Sequence, residues 1–82
     1  MKTMMNAVLW SKTDCQWCDR VRQLFHSIDI EYIEYNYDVD FNKKSFYSEF
    51  GEGATFPQVQ IQGRHIGGCK ETLKWLQEQK LI

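Results

Sequence analysis

Cysteine is scarce in this 82-residue chain: there are three, an odd count. A small, odd number argues against a secreted scaffold held together by disulfides. Long apolar runs are missing too. The longest, Ala7-Val8-Leu9-Trp10, falls far short of the ~20 residues a membrane span needs. Neither charge sign dominates, since 10 Lys and Arg face 11 Asp and Glu for a net charge of −1. That balance argues against a strongly basic nucleic-acid binder. The stretch Met1-Lys2-Thr3-Met4-Met5-Asn6 lacks the apolar h-region of a signal peptide. The expectation is a soluble cytoplasmic protein with neither membrane nor nucleic-acid partners.

What is present is enough apolar mass to fold. Hydrophobic residues make up 43% of the chain, with five Phe, four Tyr and three Trp, which excludes intrinsic disorder. The length suits one domain over residues 1–82. No repeat, linker or low-complexity stretch interrupts it.

The residue patterns predict seven elements. Ala7 to Trp10 is continuously apolar, as in a central strand covered on both faces. Thr13 and Asp14 are good helix caps, and a helix follows from Cys15. On it Cys18, Val21, Phe25 and Ile28 form one apolar face, with Asp19, Arg20, Arg22 and Gln23 opposite. Glu31 to Tyr37 alternates as a strand, with Ile33, Tyr35 and Tyr37 on one face and Glu34 and Asn36 on the other. Lys43 to Phe50 is a short helix that Gly51-Glu52-Gly53 ends. Val59 and Ile61 alternate with glutamines as a strand, and Gly63-Arg64 marks a tight hairpin turn. His65-Ile66 begins the return strand, Gly67-Gly68 closes it, and Leu73 and Leu76 mark a last helix from Cys69 to Gln79. The expected fold is therefore α/β, in the order β-α-β-α-β-β-α. A strand–helix–strand start implies a parallel, right-handed crossover, and the hairpin implies an antiparallel pair. Together they give a mixed four-stranded sheet with helices on both faces.

Cys15 and Cys18 carry the chemistry. One C-x-x-C is half of a structural zinc site, and His26 and His65 do not supply the other half. The pair follows a strand and opens a helix, where unpaired N–H groups and the helix dipole stabilise a thiolate. That placement favours redox chemistry over two small core residues. Cys15 is then the nucleophile, and Cys18, one turn deeper, the resolving thiol. Asp14 and Asp19 oppose a thiolate. Lys12 and the dipole favour it, and Asp14 is expected to be engaged in capping. Gly67-Gly68 allows close backbone approach, and the Gly68 and Cys69 N–H groups are placed to hold a carboxylate at a helix start.

Three motifs, Ser11-Lys12-Thr13-Asp14-Cys15-Gln16-Trp17-Cys18, Thr55-Phe56-Pro57-Gln58-Val59 and Gly67-Gly68-Cys69, stand in the order found in glutaredoxins. The chain resembles that family over nearly its whole length, and its compact loops look most like bacterial or phage-type members. The resemblance implies a thioredoxin-like fold and a glutathione-dependent thiol–disulfide oxidoreductase acting as a monomer. Disulfide-bearing client proteins, ribonucleotide reductase among them, are its implied partners. It implies a cis Pro57 beside the cysteines, with the Phe56 backbone exposed to pair with a substrate. It also implies glutathione binding by Lys12, Trp17, Lys44, Thr55, Phe56, Pro57, Gly68, Cys69 and Lys70. Lys12 and Lys44 would meet the glycine carboxylate, and Trp17 would wall the groove. Cys69 would act through its backbone rather than as a working thiol.

Three residues depart from the family pattern. Gln16 replaces the usual proline, and some relatives that lack this proline hold a [2Fe–2S] cluster between two subunits with glutathione, which would make Cys15 the iron ligand. Lys70 replaces an acidic or threonine residue near the γ-glutamyl end. Phe56 is bulkier than the usual valine. A cluster-binding role, or reduction by thioredoxin reductase in place of glutathione, are the competing readings. Gly67-Gly68-Cys69 favours glutathione.

Overall fold

A computed structural model of the chain describes residues 3–82; Met1 and Lys2 of the N-terminal stretch lie outside it. The elements are β1 (Thr3–Ser11), α1 (Gln16–Ser27), β2 (Ile30–Asn36), α2 (Lys43–Phe50), β3 (Gln58–Ile61), β4 (Arg64–Gly67) and α3 (Cys69–Glu78). The sheet order is β2-β1-β3-β4. β1 runs parallel to β2 and antiparallel to β3, and β3 pairs with β4 through an antiparallel hairpin. This is the expected topology, with β1 central and longer than its apolar run.

The two faces of the sheet are filled differently. On one, Ala7 and Leu9 of β1, Ile30 of β2 and Val59 and Ile61 of β3 meet Val21 and Phe25 of α1 and Leu76 of α3. On the other, aromatic rings pack edge and face. Trp10 lies 4.9 Å from Tyr35, 5.1 Å from Phe41 and 5.2 Å from Phe50 between ring centroids. Phe46 stacks on Phe56 at 4.2 Å. Such pairs add to plain area burial because ring edges and faces carry opposite partial charge. Asn42 caps α2 by accepting the Ser45 N–H at 2.8 Å, and Gly51 ends the helix at φ +99°.

Four local expectations change. Ile30 and Tyr32, with half-buried Glu34, set the α1-facing side of β2, and Tyr32 packs on Phe25 at 5.1 Å. Ile33 and Tyr35 face the α2 side instead, where α2 is too short to cover Ile33, left 58% exposed. Apolar residues occur in both phases of this strand, and Glu34 is tolerated inside because Arg22 and Ser11 satisfy it. Arg22 accordingly lies over Glu34 rather than on the outer face of α1. The hairpin turn is Gln62-Gly63, with both residues at positive φ, so Arg64 already belongs to β4. Leu73 is exposed while Leu76 is buried.

These assignments set opposite expectations for two apolar residues. Phe25→Ala removes a ring with no exposed surface and is expected to cost about 3–5 kcal/mol in urea unfolding. Ile33→Ser is expected to change stability by no more than about 0.5 kcal/mol.

Candidate active site

Strand register brings three distant loops to one edge of the sheet. Trp10 pairs with Gln58 across β1 and β3, and Val59 pairs with Gly67 across β3 and β4. The end of β1, the start of β3 and the end of β4 therefore lie side by side. Cys15 follows the first, Pro57 precedes the second and Gly68 follows the third.

Cys15 and Cys18 are joined by a disulfide, with Cα atoms 5.2 Å apart. The helix begins at Gln16, and Cys15 is itself the cap: its Sγ accepts the Cys18 N–H at 3.2 Å. Its carbonyl accepts the Asp19 N–H at 3.1 Å. Thr13 and Asp14 do not cap α1, contrary to the sequence expectation. Asp14 instead turns the chain at φ +53°, a conformation that aspartate tolerates better than most residues. Sulfur thus takes the place an oxygen usually holds over the unpaired N–H groups. Cys15 is mostly buried and Cys18 wholly so.

The Phe56–Pro57 peptide bond is cis, as expected. Phe56 is held from below by Phe46 and lies near Phe41 and Tyr37, at 6.0 and 5.8 Å. A groove of about 490 Å³ beside this loop is lined by Trp17, Thr55, Phe56, Pro57, Gly68, Cys69 and Lys70 among others. Seven of the residues named from sequence therefore meet in one place.

Two of the nine binding residues do not join them. Lys12 lies on the other side of Cys15, in a polar groove of about 380 Å³ with Asp14, Asp19, Arg22 and Tyr37. Its ammonium stands 5.7 Å from the Phe56 ring centre. Lys44 is exposed on the first turn of α2 and lines neither groove. A helix turn points successive side chains about a third of a turn apart, and here Phe46 takes the inward direction.

Arg20 was missed, and so was the capping role of Glu71. The Arg20 guanidinium lies 5.2 Å from the Trp17 ring centre, a pairing that the i, i+3 spacing on one helix signals. Glu71 accepts the Gly68 N–H on Oε1 at 2.8 Å. That N–H was expected to meet a ligand carboxylate; the chain supplies the carboxylate itself. The signal was the glutamate three residues past a cap position. Gly67 sits at φ +123°, and a Cβ there would come within 2.9 Å of Glu71 Cβ, so glycine is required. Cys69 forms part of the groove wall, and burial pushes its thiol above the ordinary range, with Arg20 opposing and Glu71 adding.

The glutaredoxin family profile matches residues 7–66. The chain belongs to the glutaredoxin family. Glutaredoxin-C6 of rice is 37% identical over 78 residues, covering 92% of this chain and 70% of that protein. The structure of glutaredoxin 1 from Francisella tularensis, complexed with cacodylate, superimposes with a TM-score of 0.78 at 27% identity, covering 94% of this chain and 96% of that one. A buckwheat glutaredoxin–glutathione complex gives 0.73 at 31% identity, covering 92% and 71%. The expected affinity to bacterial or phage-type members is not borne out, because curated relatives include rice, mouse and human proteins. As a glutaredoxin with a C-x-x-C pair, the protein is a thiol–disulfide oxidoreductase.

Arg22 lines the polar groove with Cys15; its Nη2 donates to Glu34 Oε2 at 2.6 Å, and Ser11 Oγ donates to the same oxygen at 2.6 Å. The Arg22 hydrogen bonds hold the Glu34 carboxyl below the usual carboxylate range, against the opposing effect of burial. A lowered folded-state pKa means stability that is full above the unfolded value of ~4.3 and lost as pH falls through the folded value. Urea midpoints should therefore drop below about pH 4, and Glu34→Gln should flatten that part of the profile relative to the parent.

Proposed function

We propose that this glutaredoxin reduces protein disulfides and glutathione mixed disulfides with electrons taken from glutathione. It would act as a cytoplasmic monomer on disulfide-bearing clients such as ribonucleotide reductase. The observation that carries this reading is that strand register sets Cys15, at the cap of α1, at the same sheet edge as the Pro57 loop and the groove that ends at Gly68. A thiolate at Cys15 would have the Cys18 N–H and the helix dipole as its stabilisers, an arrangement that favours the charged form of a thiol.

The thiolate attacks one sulfur of the client disulfide. A Cys15–client S–S bond forms, and the other client sulfur leaves and takes a proton. Cys18 then loses its proton and attacks Cys15 Sγ. The Cys15–Cys18 bond closes and the client leaves fully reduced. Two molecules of glutathione reopen the pair and are released as one glutathione disulfide. Electrons balance, two for each turn. With a glutathione mixed disulfide the first attack releases the client, and external glutathione resolves Cys15 without Cys18.

Trp17, Thr55, Phe56, Pro57 and the backbone of Cys69 line one groove and would hold the tripeptide. Lys12 is placed to meet a negative group from the opposite side of Cys15. A [2Fe–2S] cluster does not fit a single copy of the chain. Among the described residues no three His, Cys, Asp or Glu side chains gather to hold a metal ion, and Cys15 would be the chain's one iron ligand.

A coupled assay with glutathione, glutathione reductase and NADPH tests the reading. Cys15→Ser is expected to abolish turnover of every substrate. Cys18→Ser should keep reduction of small glutathione mixed disulfides while losing most reduction of protein disulfides. Full activity in Cys15→Ser, or activity with thioredoxin reductase alone, would refute it.

Lys70 offers a separate prediction. It is exposed on the groove wall, where the tripeptide's ammonium would approach. Exposed charge contacts are worth about 0.2–1 kcal/mol. Lys70→Asp should therefore lower the Michaelis constant for glutathione about two- to fivefold at low salt, with Cys15 alkylation unchanged.

A further inference from the structure

Asp19 stands in the first turn of α1 and lines the same polar groove as Cys15. A free carboxylate there opposes any negative charge on the sulfur, because like charges at short range raise each other's energy. It is not free. Arg22, one turn on, donates through Nη1 to Asp19 Oδ1. The guanidinium is itself anchored: Nε lies 2.9 and 3.0 Å from the two Glu34 oxygens, and Nη2 donates to Oε2 at 2.6 Å. Ser11, with no exposed surface, fixes Glu34 from the end of β1. The remaining charged or polar residues lining this groove with Cys15 are Lys12, Thr13, Asp14, Asn36 and Tyr37.

This network is more than a surface pair. Asp19 is 63% exposed, while Arg22 and Glu34 retain 31% and 20% exposure. Two of the three Arg22 nitrogens are used on Glu34, which aims the third at Asp19. The planar fork makes that aim possible, and a lysine could not serve both carboxylates in the same way.

We propose that Arg22 is a positioning residue for the redox pair: seated on Glu34, it offsets part of the Asp19 charge beside Cys15 and thereby stabilises the reduced dithiol. This rests on Cys15 being the thiolate that the proposed function uses. Reduction of the Cys15–Cys18 bond takes two electrons and two protons from a dithiol reductant, which becomes a disulfide. Cys15 releases one proton on becoming the thiolate. Stabilising that thiolate raises the share of reduced protein, as for strongly oxidising redox pairs whose reduced form is favoured.

The test is the equilibrium constant of the pair at pH 7, measured against dithiothreitol and, in parallel, against glutathione. Arg22→Gln is expected to shift both constants about two- to fivefold toward the disulfide, the range for an exposed charge contact. Asp19→Asn alone should move them less than about twofold, since Arg22 already offsets much of that exposed charge. In the Asp19→Asn background, Arg22→Gln should have little further effect. An unmoved constant in Arg22→Gln would overturn the proposal, as would a shift that persists undiminished in the double variant. Should Arg22→Gln fail to fold, a shift well beyond twofold toward the dithiol in Asp19→Asn alone would overturn it too. Parent protein that equilibrates with dithiothreitol and not with glutathione would count against the proposed function and leave the Arg22 comparison intact.

Discussion

Everything at the active edge depends on β1 being bonded on both sides. A strand with neighbours on both flanks has both faces available for burial, and here both are used: Leu9 and Ala7 beneath α1 and α3, Trp10 against the rings near α2. The strand cannot slide by one residue without exchanging these two sets, because side chains alternate across a strand. Its end is thus pinned, and with it the turn at Asp14 and the sulfur at the cap of α1. The Pro57 and Gly68 loops inherit their places from β1 through β3 and β4. The active edge is a consequence of strand register more than of any contact between the loops themselves.

The unequal filling of the two faces has a consequence for the groove. Aliphatic residues pack under α1 and α3. Phe46 and Phe50 of α2 pack with Trp10 and Phe41, and this aromatic group reaches Phe56 directly. A valine at position 56 would lack the ring that stacks on Phe46 and sits beneath Lys12. The departure at Phe56 is therefore matched by the aromatics of α2 and of the loop before it. That correspondence between local sequence and distant packing is what a consistent fold requires.

The element order and the core face of α1 were legible because their signals are periodic and long: Cys18, Val21 and Phe25 follow one helical stripe. The C-x-x-C, Thr-Phe-Pro and Gly-Gly-Cys stretches were legible as one site through family resemblance. Pairing partners fifty residues apart leave no local mark. What escaped reading was where two signals coincide. β2 carries apolar residues in both phases, so alternation alone could not choose its inner face; the choice rests on Arg22 and Ser11 satisfying Glu34. Asp14 looked like a cap because side-chain chemistry favours it there, yet the sulfur one residue later took that role. Lys44 had the right charge and the wrong direction, which depends on helix phase against a tertiary neighbour.

Glu71 changes how the departure at Lys70 is weighed. Viewed alone, a lysine near the site for an ammonium is unfavourable. The groove as built carries Arg20, Lys70 and Glu71, and the carboxylate of Glu71 is directed to the Gly68 N–H. That leaves the two cations as the charges offered to a ligand. The proposed tripeptide carries two carboxylates and one ammonium, so at neutral pH its net charge is negative. The wall that repels its ammonium attracts the molecule as a whole. Attraction of the whole charge acts over a Debye length of about 8–10 Å in physiological salt, while the ammonium contact acts only at close range. On the proposed binding mode the two effects separate: the cations would favour encounter, and Lys70 would weaken the seated complex. Such a balance would suit a site that must admit glutathione twice and release one glutathione disulfide in every dithiol cycle.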